Sequence, residues 1–321
     1  MNRVFLCMIK LHGYEKKIIT ELEKQGYQVE YCDYEEYIRQ NKKIKNPILR
    51  LINNLYFRRI LKRDLKIEKA IKKFNEEILG KITFGEIFIK IGTTEMDEST
   101  LKLINKKFKI KISHHWDTIG TFTPVERLEK EKKYYDKISS YDRRNCEDYN
   151  LKYLPNFYSL KESKEEFQRV YTIMSNIENL EILEKISKNL RKNGVDYKFI
   201  IVDRKGRTNS EYIEIQKEFI TVDNMLKEMS KSTCILEINQ KKNKGYTFRT
   251  FDCIGMKKKL ITNNKDIINE DFYNPNNILV LDENNINIPK EFIDSPYESL
   301  PKEIYEKYSL KNWVKQLLEI E

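Results

Sequence analysis

Short apolar runs alternate with amphipathic stretches of helical period along almost the whole chain, the pattern of repeated β-α units and a parallel sheet. RVFLCMIK (3–10) reads as a first buried strand, and LHGYEKKIITELEKQG as a loop and helix stopped by Gly26. YQVEYCDY predicts a second strand. Residues 46–79 predict one long helical region, with Ile48, Ile52, Leu55, Ile60 and Leu61 at helical spacing. ITFGEIFIKIG (82–92) reads as a strand, ESTLKLINKKF as a helix, and KIKISHHWD (109–117) as a strand running into a loop. DKISSYD (136–142) is a further strand.

The same alternation restarts near residue 168. QRVYTIM, YKFIIVD, EFITV, TCILEIN and KKLITN read as strands. Between them lie NIENLEILEKISKNLRKNG, a helix closed by Gly194, then DNMLKEMSKS, then TFRTFDCIGM, a helix closed by Gly255. The tail ESLPKEIYEKYSLKNWVKQLLEIE is helical and amphipathic. The expectation is two consecutive α/β halves joined near Pro155–Lys164, with ligands outside the carboxyl ends of the strands.

At 321 residues the chain is long enough for two cores. Charged residues make up 34%, against a usual ~25%, but 12% aromatics leave ample surface to bury, which excludes a disordered chain. No apolar run reaches the ~20 residues of a membrane span, and no signal peptide is apparent, so a cytoplasmic protein is expected. The five cysteines (Cys7, Cys32, Cys146, Cys234, Cys253) are scattered without a CxxC and read as free thiols, mostly buried. The net charge of +10 is localised: residues 39–73 carry 13 basic and two acidic side chains. Such a stripe is either a solvated helix face in a Lys-rich chain or a surface for an anionic membrane.

The stretch ILEINQKKNKGYTFRTFDCIGMKKKLITNN (235–264) carries the candidate chemistry. A buried strand ends at Asn239, and a loop containing Gly245 enters a helix. Free N–H groups and the dipole at that helix start favour an anion. Thr247 adds a hydroxyl, Arg249 a guanidinium suited to phosphate, and Asp252, one turn on, a carboxylate for sugar hydroxyls. An ordinary loop and helix with Arg249 at the surface is the plainer alternative.

The segments DKISSYDRRNCEDYNLKYLPNFYS, GYTFRTFDCIGMKKKLITNN, EDFYNPNNILV and KYSLKNWVKQLL resemble bacterial polysaccharide and lipopolysaccharide glycosyltransferases of the GT-B fold, including CgeB-like proteins. The resemblance implies an α/β protein of two Rossmann-like domains facing across a cleft. It divides the chain into an acceptor domain (1–157), a nucleotide-sugar donor domain (158–301) and a C-terminal helix (302–321) packing back on the first. It assigns donor binding to Gly245, Tyr246, Thr247, Arg249, Thr250, Asp252, Thr262 and Asn263. The donor would be a nucleotide sugar, a UDP-sugar by default, with no cofactor. The acceptor would be a cell-surface glycan or lipid-linked saccharide. Two departures are visible: Ser175 stands where the family has a glycine after the first donor-domain strand, and Asp252 replaces a glutamate.

The acceptor hydroxyl needs a base on strand-end loops of the first half. Asp117 is the first candidate and His114 the second, with His12 and Gly13 on the acceptor-side loop after the first strand. No DxD motif occurs, so no metal is expected at the diphosphate. Trp116 as core and Asp117 as a turn cap is the competing reading. Two other functions stay open: a non-catalytic GT-B-fold assembly or spore-surface protein, and a nucleic-acid binder using 39–73. The latter lacks any RRM, KH or zinc pattern, so no nucleic-acid partner is expected.

Overall fold

A computed structural model describes residues 2–11, 13–61, 64–82, 85–121, 123–160, 167–175, 177–218, 220–239 and 245–319. The chain divides into two units: unit 1 is Met1–Leu154 with Leu317–Ile320, and unit 2 begins at Pro155 and runs to Gln316.

Unit 1 contains β1 (Arg3–Met8), α1 (Tyr14–Lys24), β2 (Gln28–Cys32), α2 (Tyr34–Asn41), α3 (Pro47–Ile52), α4 (Leu65–Glu77), β3 (Gly85–Ile91), α5 (Glu98–Lys107), β4 (Phe108–His115), α6 (Val125–Glu131), β5 (Lys137–Ser140), α7 (Arg143–Tyr149) and β6 (Lys152–Tyr153). Its strands form one parallel sheet in the order β2-β1-β3-β4-β5-β6. Five consecutive residues of β1 and of β3 are buried, as expected of parallel strands covered on both faces. Phe5, Phe88 and Phe108 stack across three strands in that core, with Phe74 of α4 and Leu101 and Ile104 of α5 packed into it.

Unit 2 contains β7 (Phe167–Met174), α8 (Leu180–Lys192), β8 (Asp196–Val202), β9 (Glu214–Gln216), α9 (Val222–Ser230), β10 (Ser232–Glu237), α10 (Phe248–Met256), β11 (Lys259–Thr262), β12 (Ile278–Val280), α11 (Lys290–Asp294), α12 (Lys302–Lys307) and α13 (Leu310–Leu318), the last ending among unit 1 residues. This sheet is also parallel, in the order β12-β11-β10-β7-β8-β9. Numbered from its own first strand it reads 6-5-4-1-2-3, the doubly wound Rossmann order. Its winding reverses between β7 and β10; that of unit 1 reverses between β1 and β3. Leu183, Ile186 and Leu190 recur along one stripe of α8 and are fully buried against the sheet. Burying such side chains contributes about 1.5–3 kcal/mol each.

Several boundaries differ from the sequence expectation. Residues 46–79 are two helices. Asn46 caps α3 with Pro47 in its first turn, a wider turn spans Asn53–Phe57, and Asp64 caps a fresh start at α4. A helix, α2, begins at Tyr34 because the Asp33 carboxylate accepts the Glu36 N–H, cutting the second strand short. Of EFITV, Phe219 lies outside the described residues and the others form no strand: the strand lies earlier, at β9, and Thr221 caps α9. Gly255 does not stop α10, whose cap is Lys257 in the left-handed region at φ 54°. A Cβ on Gly255 would fall 2.5 Å from the Leu160 carbonyl oxygen and 2.5 Å from the Tyr158 ring, so glycine there permits close packing.

The division also falls three residues earlier than expected. Phe157 stacks on Phe248 and Trp313, and Tyr158 on Tyr305, which ties 155–158 to unit 2. Most of the tail stays there too, since Tyr308 packs on Phe251 and Phe272 and donates to Asp271. Only residues 317–320 group with unit 1, where Glu319 pairs with Lys137 and Lys152. Cys7, Cys146, Cys234 and Cys253 are buried free thiols and Cys32 is half-buried.

Candidate functional site

In unit 2 the winding reverses where β7 and β10 lie side by side, so the carboxyl ends of these strands border the crevice in which doubly wound sheets hold ligands. Gly245 and Tyr246 lead from the β10 side into α10. Thr247 is its N-cap, and the hydroxyl accepts the Arg249 N–H at 3.1 Å. The Arg249 guanidinium reaches across the reversal and donates through Nη2 to the Ile173 carbonyl near the end of β7. Its Nε is buried and, among the described residues, has no hydrogen-bond partner.

Two more buried donors without a partner among the described residues lie at neighbouring strand ends: Asn239 Nδ2 beyond β10 and Asn264 Nδ2 beyond β11. A buried donor left unsatisfied costs about 1–3 kcal/mol. Among the described residues, three such donors lie around one set of carboxyl ends. Asn263 holds the two strand ends in register: its Oδ1 accepts the Asn239 N–H at 2.8 Å, and its Nδ2 donates to the Asn239 carbonyl and to Glu283. The Thr262 hydroxyl is fully buried and accepts the Asn264 N–H.

The remaining unit 2 candidates work inside the protein. Glu237, at the end of β10 and 1% exposed, accepts hydrogen bonds from both the Thr247 and Thr250 hydroxyls. The Thr247 proton is therefore engaged by a carboxylate instead of being offered to a ligand, and Thr250 is itself buried. Asp252 has no exposed surface. The Tyr246 ring is buried edge-on against Phe272, and its carbonyl accepts from Asn156 at 2.9 Å. Glu237 was missed in the sequence, where its only signal is an acidic residue ending an apolar run.

In unit 1, His12 lies outside the described residues. Gly13 caps α1 at φ 104°, a conformation that favours glycine, and its N–H together with that of Leu11 donates to Glu15. Tyr14 beside it meets Trp116 edge-on at 6.4 Å, so the loops after β1 and β4 share one neighbourhood. Asp117 sits in that β4 loop, half-buried. Removal from water pushes its carboxyl pKa up, which makes it a stronger base.

His114 is different. It is fully buried, its Nδ1 lies 2.8 Å from the Ser139 hydroxyl, and burial, with His115 and Lys90 nearby, lowers its pKa to about 3. That imidazole is a poor acceptor of protons at neutral pH. His115 belongs to a buried polar cluster missed in the sequence. Glu131 of α6 pairs with Lys90 of β3 at 2.5 Å and accepts from the Ser113 hydroxyl at 3.0 Å. His115 Nε2 lies 2.9 Å from the same carboxylate. Burial would raise the Glu131 carboxyl, but the Lys90 charge and the bond from His115 outweigh it and hold it low. Burial and the Lys90 charge lower the His115 pKa against the pull of Glu131. A neutral His115 then donates Nε2–H to Glu131.

A cavity of about 520 Å³ in unit 1 is lined by α2, α4 and the residues after β3, and Arg127 pairs with Glu95 on its wall. Among the described residues no group of three or more His, Cys, Asp and Glu side chains is placed to hold a metal ion. No helix among them is long and apolar enough to cross a membrane.

Neither a family model nor a curated protein matches this chain. Solved structures do, over nearly its full length. An alpha-glucosyltransferase solved with UDP and a 13-mer DNA containing an HMU base is 13% identical, with TM-score 0.53, over 98% of this chain and 93% of that one. A UDP-forming α,α-trehalose-phosphate synthase from Burkholderia vietnamiensis is 10% identical, with TM-score 0.57, over 99% and 100%. A UDP-GlcNAc 2-epimerase from Neisseria meningitidis, bound to UDP-GlcNAc, is 11% identical, with TM-score 0.55, over 99% and 99%. Together with the two parallel sheets, these likenesses establish a GT-B-type fold of two Rossmann-like domains.

Proposed function

We propose that the protein is a glycosyltransferase that moves a hexose from a nucleotide sugar, a UDP-sugar first, to a hydroxyl of a cell-surface glycan or lipid-linked saccharide. The observation that carries this reading is the set of buried donors without a partner, among the described residues, at the β7, β10 and β11 ends. Support comes from solved structures of the same fold: one bound to UDP, one UDP-forming and one bound to UDP-GlcNAc.

The diphosphate would lie at the start of α10. The free N–H groups and the Arg249 guanidinium would stabilise charge as the bond from the sugar to the diphosphate breaks, without a metal ion. Glu237 would preorganise this turn through Thr247 and Thr250. In unit 1 Asp117 would take the proton of the acceptor hydroxyl as its oxygen bonds to the sugar, and the nucleoside diphosphate leaves. His12 and Gly13 would border the acceptor. Synthesis of bacterial surface polysaccharide or lipopolysaccharide, from the cytoplasmic side, is the setting this chemistry fits.

The experiment is nucleotide release from a panel of nucleotide sugars, with and without saccharide acceptors, by the full chain and by Arg249→Ala. One donor is expected to turn over in the wild type and to be lost in the variant. No release from any donor would instead favour the non-catalytic assembly reading, to which Ser175 and the internally engaged Thr247 hydroxyl belong.

A further inference from the structure

α3 and the wider turn after it stand out in water: between residues 47 and 60 every side chain is exposed except those of Asn53 and Phe57. Asn53 is fully buried, donating through Nδ2 to Asp64 Oδ1 at 3.1 Å and accepting the Leu65 N–H at 2.7 Å. Ile48 is 68% exposed, Leu51 58%, Leu55 50% and Ile60 64%. At about 100° per residue, Ile48, Leu51 and Ile52 share one arc of α3, and the exposed Leu55 follows in the wider turn. Cations surround them, with Lys43, Lys45, Arg50 and Arg59 all exposed. Soluble chains rarely leave a contiguous apolar patch open, and one rimmed by charge marks an interaction surface.

We propose that residues 44–61 dock this protein on an anionic phospholipid bilayer, the aliphatic side chains entering the acyl boundary and the Lys and Arg side chains meeting the headgroups. Charge complementarity selects this occupant. Residues 39–73 carry 13 basic and two acidic side chains, so two copies of the patch repel each other. Nucleic acid would match the charge but not the apolar face. Its bases stack on aromatic rings, and of the strongly exposed apolar residues between 48 and 67 only Tyr56 is aromatic. Aliphatic side chains beside cations are what an interfacial helix presents to lipid. This inference does not depend on the transferase reading, though a bilayer would also be the source of a lipid-linked acceptor.

The test is flotation of the full chain with vesicles of phosphatidylcholine alone and of phosphatidylcholine mixed with phosphatidylglycerol. Binding is expected to the mixed vesicles, to weaken with salt, and to be slight on the neutral ones. The variant Ile48→Ser/Leu51→Ser/Leu55→Ser/Ile60→Ser removes only exposed side chains, so it should keep its circular dichroism while losing roughly tenfold or more in partitioning. Lys43→Ser/Lys45→Ser should lose about fivefold per charge removed. Equal binding by the aliphatic variant, or no binding to anionic vesicles, overturns the proposal. So does light scattering that shows a dimer through this face, or a gel shift of RNA or DNA that the aliphatic variant retains while vesicles fail.

Discussion

Lys90→Met is the substitution through which the buried cluster of unit 1 can be read most fully. Lys90 and Glu131 are 1% and 3% exposed and pair at 2.5 Å. Removing the cation leaves Glu131 in the interior with only Ser113 and His115, and breaking a buried pair in this way costs about 3–5 kcal/mol. That is a large share of the ~5–15 kcal/mol that holds a domain together. Glu131→Gln is expected to cost a similar amount by stranding the ammonium. The double variant removes both charges while keeping an oxygen for His115 and Ser113, so it should be more stable than either single one.

The pH dependence gives the same prediction a second edge. The His114 pKa falls from 6.5 to about 3 on folding, so the unfolded chain binds more protons between those values and stability is lost as pH falls below 6.5. Between pH 7.5 and 5.5 that loss is on the order of 1 kcal/mol for His114 alone, with His115 adding in the same direction. In Lys90→Met the charge that depresses His115 is gone and an unopposed carboxylate lies beside it, so the loss over this range should shrink or reverse. Urea unfolding followed by Trp116, in a Trp313→Phe background, reads unit 1 directly, since Trp116 meets His114 edge-on at 6.2 Å. Additive single and double variants, or a wild-type pH slope retained in Lys90→Met, would refute the reasoning.

Three other outcomes are expected. Asp117→Asn should lower transfer by roughly 10²- to 10⁴-fold without changing donor affinity. The acid limb of the wild-type kcat/KM profile should lie above the ordinary carboxylate range, because burial raises this group, and should vanish in the variant. Glu237→Leu should weaken donor binding by freeing Thr247 and Thr250, and should cost about 1–3 kcal/mol of unit 2 stability in thermal unfolding, two buried hydroxyls losing their acceptor. Gly255→Ala should cost about 1–3 kcal/mol in the same assay, since the Leu160 carbonyl in its way is backbone and cannot turn aside.

The strands were legible because parallel sheets bury both faces, which leaves runs such as FLCM and CILE with almost no polar interruption. The turn into α10 was legible for the same local reason: an apolar run, a glycine-bearing loop and a helix follow one another within a few residues. What the chain hides is long-range. Lys90 meets Glu131 across 41 positions, and no spacing rule links a lysine inside IFIKIG to a glutamate on a short polar helix. The histidines misled for that reason: at a strand end they suggest catalysis, but His114 and His115 are buried by neighbours distant in sequence. The broken helix at 46–79 had local signals, Asn46-Pro47 and Asp64, which the apolar periodicity outweighed.

The central claim is that the carboxyl ends of β7 and β10 and the start of α10 hold a nucleoside diphosphate. Hydrogen–deuterium exchange of the full chain with and without UDP tests it at the residues concerned. Slowed exchange is expected at the amides of Phe248–Thr250 and in the loop after β7, and should be lost in Arg249→Ala. Unchanged exchange there at UDP concentrations that raise the melting temperature, or protection confined to unit 1, would contradict it.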